Sequence, residues 1–159
     1  MSIAFIGLQI LGICAVFFAL ALLLNGDGSR EQKMMEYFLM GALIQNIGYL
    51  LELTAPTMEA AMEAVKVQHL GTMIIPVCYC YFIYIYCFEE APLKALKLLG
   101  VIDAALLLLI LTCDYHSLFY RYLDWETTAD GHSYLFLEYG PGYAVFIICA
   151  TLIPYVMSL

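Results

Sequence analysis

The apolar run from Ile3 to Leu24 is long enough to cross a bilayer, and further runs of similar length follow it. That repetition constrains the fold more than any motif. A spanning helix needs roughly 20 apolar residues, and lipid satisfies no backbone polar groups, so only helices or a closed barrel can span. Barrel strands take only about 10 residues each, which leaves helices. Composition points the same way: of 159 residues, 64% are hydrophobic and 13% charged, with a mean hydropathy of +0.88. This is too apolar for a water-soluble domain of such length. The lipid bilayer is therefore the first partner. A net charge of -8 without a basic stripe excludes a nucleic-acid partner.

The expected fold is an all-α polytopic membrane protein, a single transmembrane domain over 1-159 with five spanning helices. The runs place them at about 3-24, 34-53, 58-88, 92-113 and 139-159. The first could pass for a signal peptide, since Ala19-Leu20-Ala21 resembles a cleavage site. No basic residue precedes it and its apolar core is too long, so it reads as a retained span. Thr57 is an expected N-cap for the third helix, Pro76 an expected kink within it, and Pro92 a favourable first-turn residue of the fourth. The fifth run stops at Leu159 without flanking charge, which reads as a cut inside a longer chain. The six cysteines fall almost entirely inside apolar runs, so buried free thiols are expected rather than a disulfide framework.

Basic residues near span ends stay on the cytoplasmic side. Arg30 and Lys33 lie in the first loop and Lys94 and Lys97 in the third, whereas Lys66 and Arg121 are spread over two loops on the other side. The N-terminus is therefore expected outside. The loop 114-138 then lies outside as well, and it is too long for a mere connector. Its aromatic segments 119-126 and 132-139 flank Thr127-Gly131 and suit a β-hairpin.

In this frame Gln45, Tyr49 and Glu52 share one helical face at the outer end of the second helix, and Lys66 and His69 share a face of the third. The fourth helix ends in Asp114 and His116, and the fifth opens with Glu138 and Tyr143. These residues form a candidate outer pocket for a small-molecule ligand. Charged groups at lipid depth face the bundle interior and pair, so Glu52 is either a ligand group or a salt-bridge partner of Lys66. A lysine at a helix end also snorkels commonly, and an isolated histidine is more often a satisfied polar residue than a ligand. Asp103 lies deeper, in the inner half of the fourth helix, where a hydrogen bond to tyrosines of the third helix is the expected role and an ion relay the alternative. No histidine pair stands at i, i+4, and Cys78 and Cys80 point about 200° apart on a helix, so no metal site and no cofactor are expected.

The segments NIGYLLELTAPTMEAAMEAVKVQHLG, LTCDYHSLFY and LEYGPGY, with Pro76 between the first two, occur in an order and spacing that resemble the N-terminal seven-helix region of bacterial histidine kinases. The same module is found ahead of diguanylate cyclases. The likeness spans Asn46 to Tyr143, and the recurrent polar positions fall here on Glu52, Lys66, Gly71, Pro76, His116, Gly140 and Tyr143. Asp114 stands where an asparagine is common. The resemblance implies a location in the bacterial cytoplasmic membrane, two more helices beyond the five, and a cytoplasmic signalling domain as the onward partner. Signalling outputs of this kind work as dimers, so a homodimer is also implied. Gly71, Pro76, Asp103 and Gly140 are the candidate structural or signalling positions. The expected function is thus a sensory input module that is not itself an enzyme. The alternatives weighed are a small ion or solute transporter or channel, disfavoured by the lack of internal repeats and matched broken helices, and an intramembrane hydrolase, disfavoured by the missing ligand spacing.

Overall fold

The computed structural model describes residues 3–88, 90–128 and 133–157. Five long or composite helical segments carry a two-stranded sheet at one end. Helix α1 (Ile3–Leu23) leads through a tight loop to α2 (Arg30–Leu53), and α3 (Met58–Phe88) and α4 (Leu93–Leu111) follow. A 3-10 turn, Cys113–Tyr115, leads to strands β1 (Tyr120–Thr127) and β2 (Ser133–Tyr139). The chain then runs through α5 (Pro141–Ile147), a π-helical turn (Ile148–Leu152) and α6 (Ile153–Met157), which continue one another. The last helix thus begins at Pro141, not at residue 139, because Tyr139 is still paired in β2.

Local chemistry sets these limits. Gly28 takes a positive φ of 72° in the α1–α2 loop, a conformation that costs glycine little. Ser29 Oγ accepts from Gln32 N at 3.2 Å as the N-cap of α2, and Gln32 Nε2 donates to the Leu23 carbonyl, tying both ends of the loop. Thr57 Oγ1 accepts from Ala60 N at 3.2 Å at the head of α3. At the helix ends, the Thr54 and Thr112 hydroxyls turn back to the carbonyls of Leu50 and Leu108 at 2.9 and 2.7 Å. α3 runs unbroken through Pro76, which is fully buried.

Among the described residues two helices, α1 over Phe5–Leu23 and the whole of α3, are long and apolar enough to cross a membrane. The outer face of α1 exposes Leu11, Phe17 and Phe18, surface that suits lipid rather than water. α1 is fixed to α2 by a polar clasp in which Gln9 Nε2 donates to Asn46 Oδ1 at 2.9 Å. Such interhelical hydrogen bonds contribute where lipid offers no competing partner.

α2 and α3 cross at backbone contact. A methyl group at Gly71 would overlap the Gln45 amide and the Gly41 carbonyl, and one at Gly48 would overlap the backbone of Gln68. The core lies on the other side of α3, where Met73, Cys80, Leu99, Leu106 and Ile110 pack between α3 and α4. At the sheet end Phe119 closes it, fully buried with Phe146 and Tyr120. β1 and β2 pair antiparallel from Tyr120↔Tyr139 to Thr127↔Ser133, with one irregularity between Tyr120 and Tyr122. Of the turn segment expected at Thr127–Gly131, residues 129–131 lie outside the described residues.

Candidate functional site

Near the end of α2 and along the first half of α3, the strand pair and α5 come up beside the two helices. The result is a cavity of about 280 Å³. From α2 it takes Gln45, Tyr49 and Glu52, residues at helical spacings of four and three that share one face. From α3 it takes Gln68, His69 and Thr72, again one face by the same spacing. Tyr120 and Tyr139, which oppose each other in the sheet, and Tyr143 with Phe146 of α5 complete the wall.

The α5 wall is anchored by backbone. Gly140 N donates to Phe119 O at 2.7 Å and Gly142 N to Leu118 O at 2.8 Å. A methyl group on Gly140 would run into the carbonyls of Ser117 and Leu118, which accounts for glycine there. With the backbone so placed, the rings of Tyr139 and Tyr143 stack with centroids 3.7 Å apart. Phe119 packs edge-on against both His69 and Tyr143, at 5.5 and 5.7 Å. His69 Nδ1 lies 2.8 Å from the Val65 carbonyl, which can only accept, so Nδ1 carries a proton and in the neutral ring Nε2 keeps the lone pair.

Of the expected site residues the structure thus gathers Tyr49, Glu52, His69 and Tyr143. The other four stand apart. Lys66 does not pair with Glu52: its Nζ lies 2.6 Å from Asp114 and 2.8 Å from Glu63, beside the 3-10 turn. The reason is helical geometry. The crossing turns Gln68 toward α2, and at about 100° per residue Lys66 then points nearly the opposite way. His116 Nε2 lies 3.1 Å from Thr112 Oγ1 and its Nδ1 accepts from Leu118 N at 3.3 Å, so it braces its own turn and does not approach Glu52. Glu138 sits on the outside of the sheet, 3.9 Å from Arg121. Asp103 also departs from expectation. It is 2% exposed, and neither carboxylate oxygen has a hydrogen-bond partner among the described residues, tyrosine or other.

Gln68, Thr72, Tyr120 and Tyr139 were not singled out by sequence. The signal for Gln68 and Thr72 was there, since polar residues four apart repeat within the apolar part of α3. Tyr120 and Tyr139 required the strand register. Electrostatically the wall has, among the described residues, a single formal charge, Glu52, and no lysine or arginine. Among the described residues no hydrogen bond or ion pair reaches the Glu52 carboxylate. Nor is there, among them, a cluster of three histidine, cysteine or acidic residues suited to a metal ion. Burial, first of all, holds the Tyr120 phenol well above the ordinary tyrosine range, reinforced by neighbours that include Glu52.

A model of one family, the N-terminal 7TM region of histidine kinase, matches residues 7–158. The chain belongs to that family. No curated protein and no solved structure matches it. Family and apolar helices together make this a membrane protein, of a region that fits a sensory input module and that in full-length proteins accompanies a cytoplasmic signalling domain.

Proposed function

We propose that this region senses a small-molecule ligand in the cavity between α2, α3, the strand pair and α5, and that occupancy changes how α5 and α6 pack against α3 and α4. The cavity wall carries the proposal: four separate elements contribute to it, so a ligand that draws them together acts on helix packing directly. α5 supplies Tyr143 and Phe146 to the wall and runs at once into the π-helical turn Ile148–Leu152. Such turns are single-turn irregularities often found at functional positions, and they are places where a helix can change register. A ligand shifts an equilibrium only by its differential affinity for the two states. The coupling therefore requires that Glu52 and Tyr143 meet the ligand unequally in the two packings.

In the proposed topology all five helical segments span the membrane. The N-terminus and the strand pair face outward, and the loops bearing Arg30, Lys33, Lys94 and Lys97 face the cytoplasm, in keeping with retention of basic residues inside. The catalytic output, a kinase or cyclase, would belong to a cytoplasmic domain joined to this region, acting as a homodimer.

The test is output in a full-length signalling protein that carries this region, reconstituted in membranes. Glu52→Gln and Tyr143→Leu are expected to change autophosphorylation or cyclase output several-fold at unchanged membrane abundance. Gly12→Ala, on a face of α1 with nothing within 4 Å, is expected to be silent. If both cavity variants keep wild-type output, the cavity is not the input site.

A further inference from the structure

The charge pattern of the wall restricts what can fill it. Glu52 is half-buried, and the basic residues of the same end of the fold are engaged elsewhere: Lys66 lies between Asp114 and Glu63, and Arg121 faces Glu138. An anion would find no lysine or arginine among the described wall residues, and the neutral His69 ring, its N–H given to the Val65 carbonyl, offers only the Nε2 lone pair. A neutral apolar ligand would strip water from a carboxylate and give nothing in return, which is costly. A hard divalent ion takes six or more oxygen ligands and favours several carboxylates, whereas the described wall sets one carboxylate among neutral amide and hydroxyl oxygens from Gln45, Gln68, Thr72 and the tyrosines. What the wall does offer around that carboxylate is aromatic surface, from Tyr49, Tyr139, Tyr143 and Phe146, with the side-chain amides of Gln45 and Gln68. Aromatic faces attract organic cations through the ring quadrupole, and most strongly where water is displaced.

We infer that the cavity binds an organic ammonium group, its charge met by Glu52 and its alkyl part by the tyrosine rings. This rests on the cavity being the input site. The ammonium can belong to a free amine or to a lipid headgroup such as that of phosphatidylethanolamine.

The experiment uses the chain in nanodiscs of phosphatidylglycerol, which carries no ammonium headgroup, titrated with tetramethylammonium chloride and with butylammonium chloride. Sodium chloride and sodium butyrate at equal ionic strength serve as controls, with the thermal unfolding midpoint as readout. The alkylammonium salts are expected to raise the midpoint saturably and the controls not to. The apparent affinity should fall by about tenfold or more in Glu52→Gln, where the ion pair is lost. Tyr139→Leu, at a half-exposed position of β2, should weaken it too and guards against a folding defect at Glu52. A repeat in phosphatidylethanolamine nanodiscs separates the sources. A Glu52-dependent midpoint that is already raised and no longer responds to added amine identifies the headgroup, and a retained response identifies a free amine.

An equal response to sodium butyrate or sodium chloride, a response that survives both substitutions, or no response to either amine overturns the assignment. If that happens while Glu52→Gln and Tyr143→Leu still alter signalling output, only the ammonium is lost and the input site stands. If output is unaffected as well, both readings fall.

Discussion

At the scale of single residues, Asp103 and Lys66 show how burial and pairing separate. Asp103 is enclosed by the α3–α4 core with neither oxygen satisfied among the described residues, an arrangement that costs stability. Asp103→Leu is expected to stabilise the folded chain by about 1–3 kcal/mol, read as a higher unfolding midpoint in nanodiscs. A clear drop instead would mean that the carboxylate has a partner in the membrane-embedded assembly. Lys66 is 11% exposed but its carboxylate partners are 49% and 73% exposed and can rehydrate. Lys66→Met should accordingly cost only about 1 kcal/mol or less. Tyr120 makes a pH prediction. Its phenol titrates higher in the folded state, mainly through burial, so folding favours the protonated form. Stability is unaffected below about pH 10 and falls above it, by up to about 1.4 kcal/mol per pH unit for this one group. Alkaline unfolding followed in wild type and in Tyr120→Phe should show the slope reduced in the variant.

At the scale of elements, the α2–α3 crossing controls the cavity. Gly41, Gly48 and Gly71 let the two backbones touch, and this contact determines which faces meet. Gly48→Ala and Gly71→Ala each place a methyl group against main chain, which cannot move aside as a flexible side chain can. Each is expected to cost about 1–3 kcal/mol by overpacking. Because Gln45 and Gln68 sit in the same contact, each should also reduce binding in the cavity. Gly7→Ala, with nothing within 4 Å, is the neutral comparison, and midpoints of the three variants decide the matter. The strand pair depends on Phe119 and on the two backbone hydrogen bonds donated by Gly140 and Gly142, which hold the sheet end to the start of α5.

At the scale of the whole molecule, the arrangement ties an outward-facing cap to the helices beneath it, on the proposed topology. Ser29 stands partly exposed in the α1–α2 loop and Glu126 exposed near the end of strand β1, both away from the core. With a cysteine introduced at each in turn, a membrane-impermeant maleimide applied to intact cells is expected to label position 126 and spare position 29. The reverse pattern would invert the topology. Native Cys14 and Cys87 are exposed only on apolar helices, and the other four thiols are buried, so background labelling should be low.

Much of the fold is written locally in the sequence. Long apolar runs mark the helices because hydrophobic length is a one-dimensional property of the chain. Thr57, Pro92 and the turn residues punctuate them because capping and φ preferences are local. The spacing of Gln45, Tyr49 and Glu52 gives a shared face for the same reason, and the motifs of the family are themselves linear. What a residue faces across a gap is not local. The pairing of Lys66 with Asp114, the unpartnered burial of Asp103, and the arrival of Tyr120 and Tyr139 at the cavity follow from the angle at which α2 meets α3 and from the strand register. Glycine-to-backbone contact fixes that angle, and a rotation of one residue on a helix turns a side chain by about 100°. Hydrophobic length and linear motif were enough to make this chain a membrane protein with polar residues at one end of its helices. Which of those residues share a cavity depends on how the helices and strands meet, because close packing, unlike hydrophobic length, is a property of two surfaces.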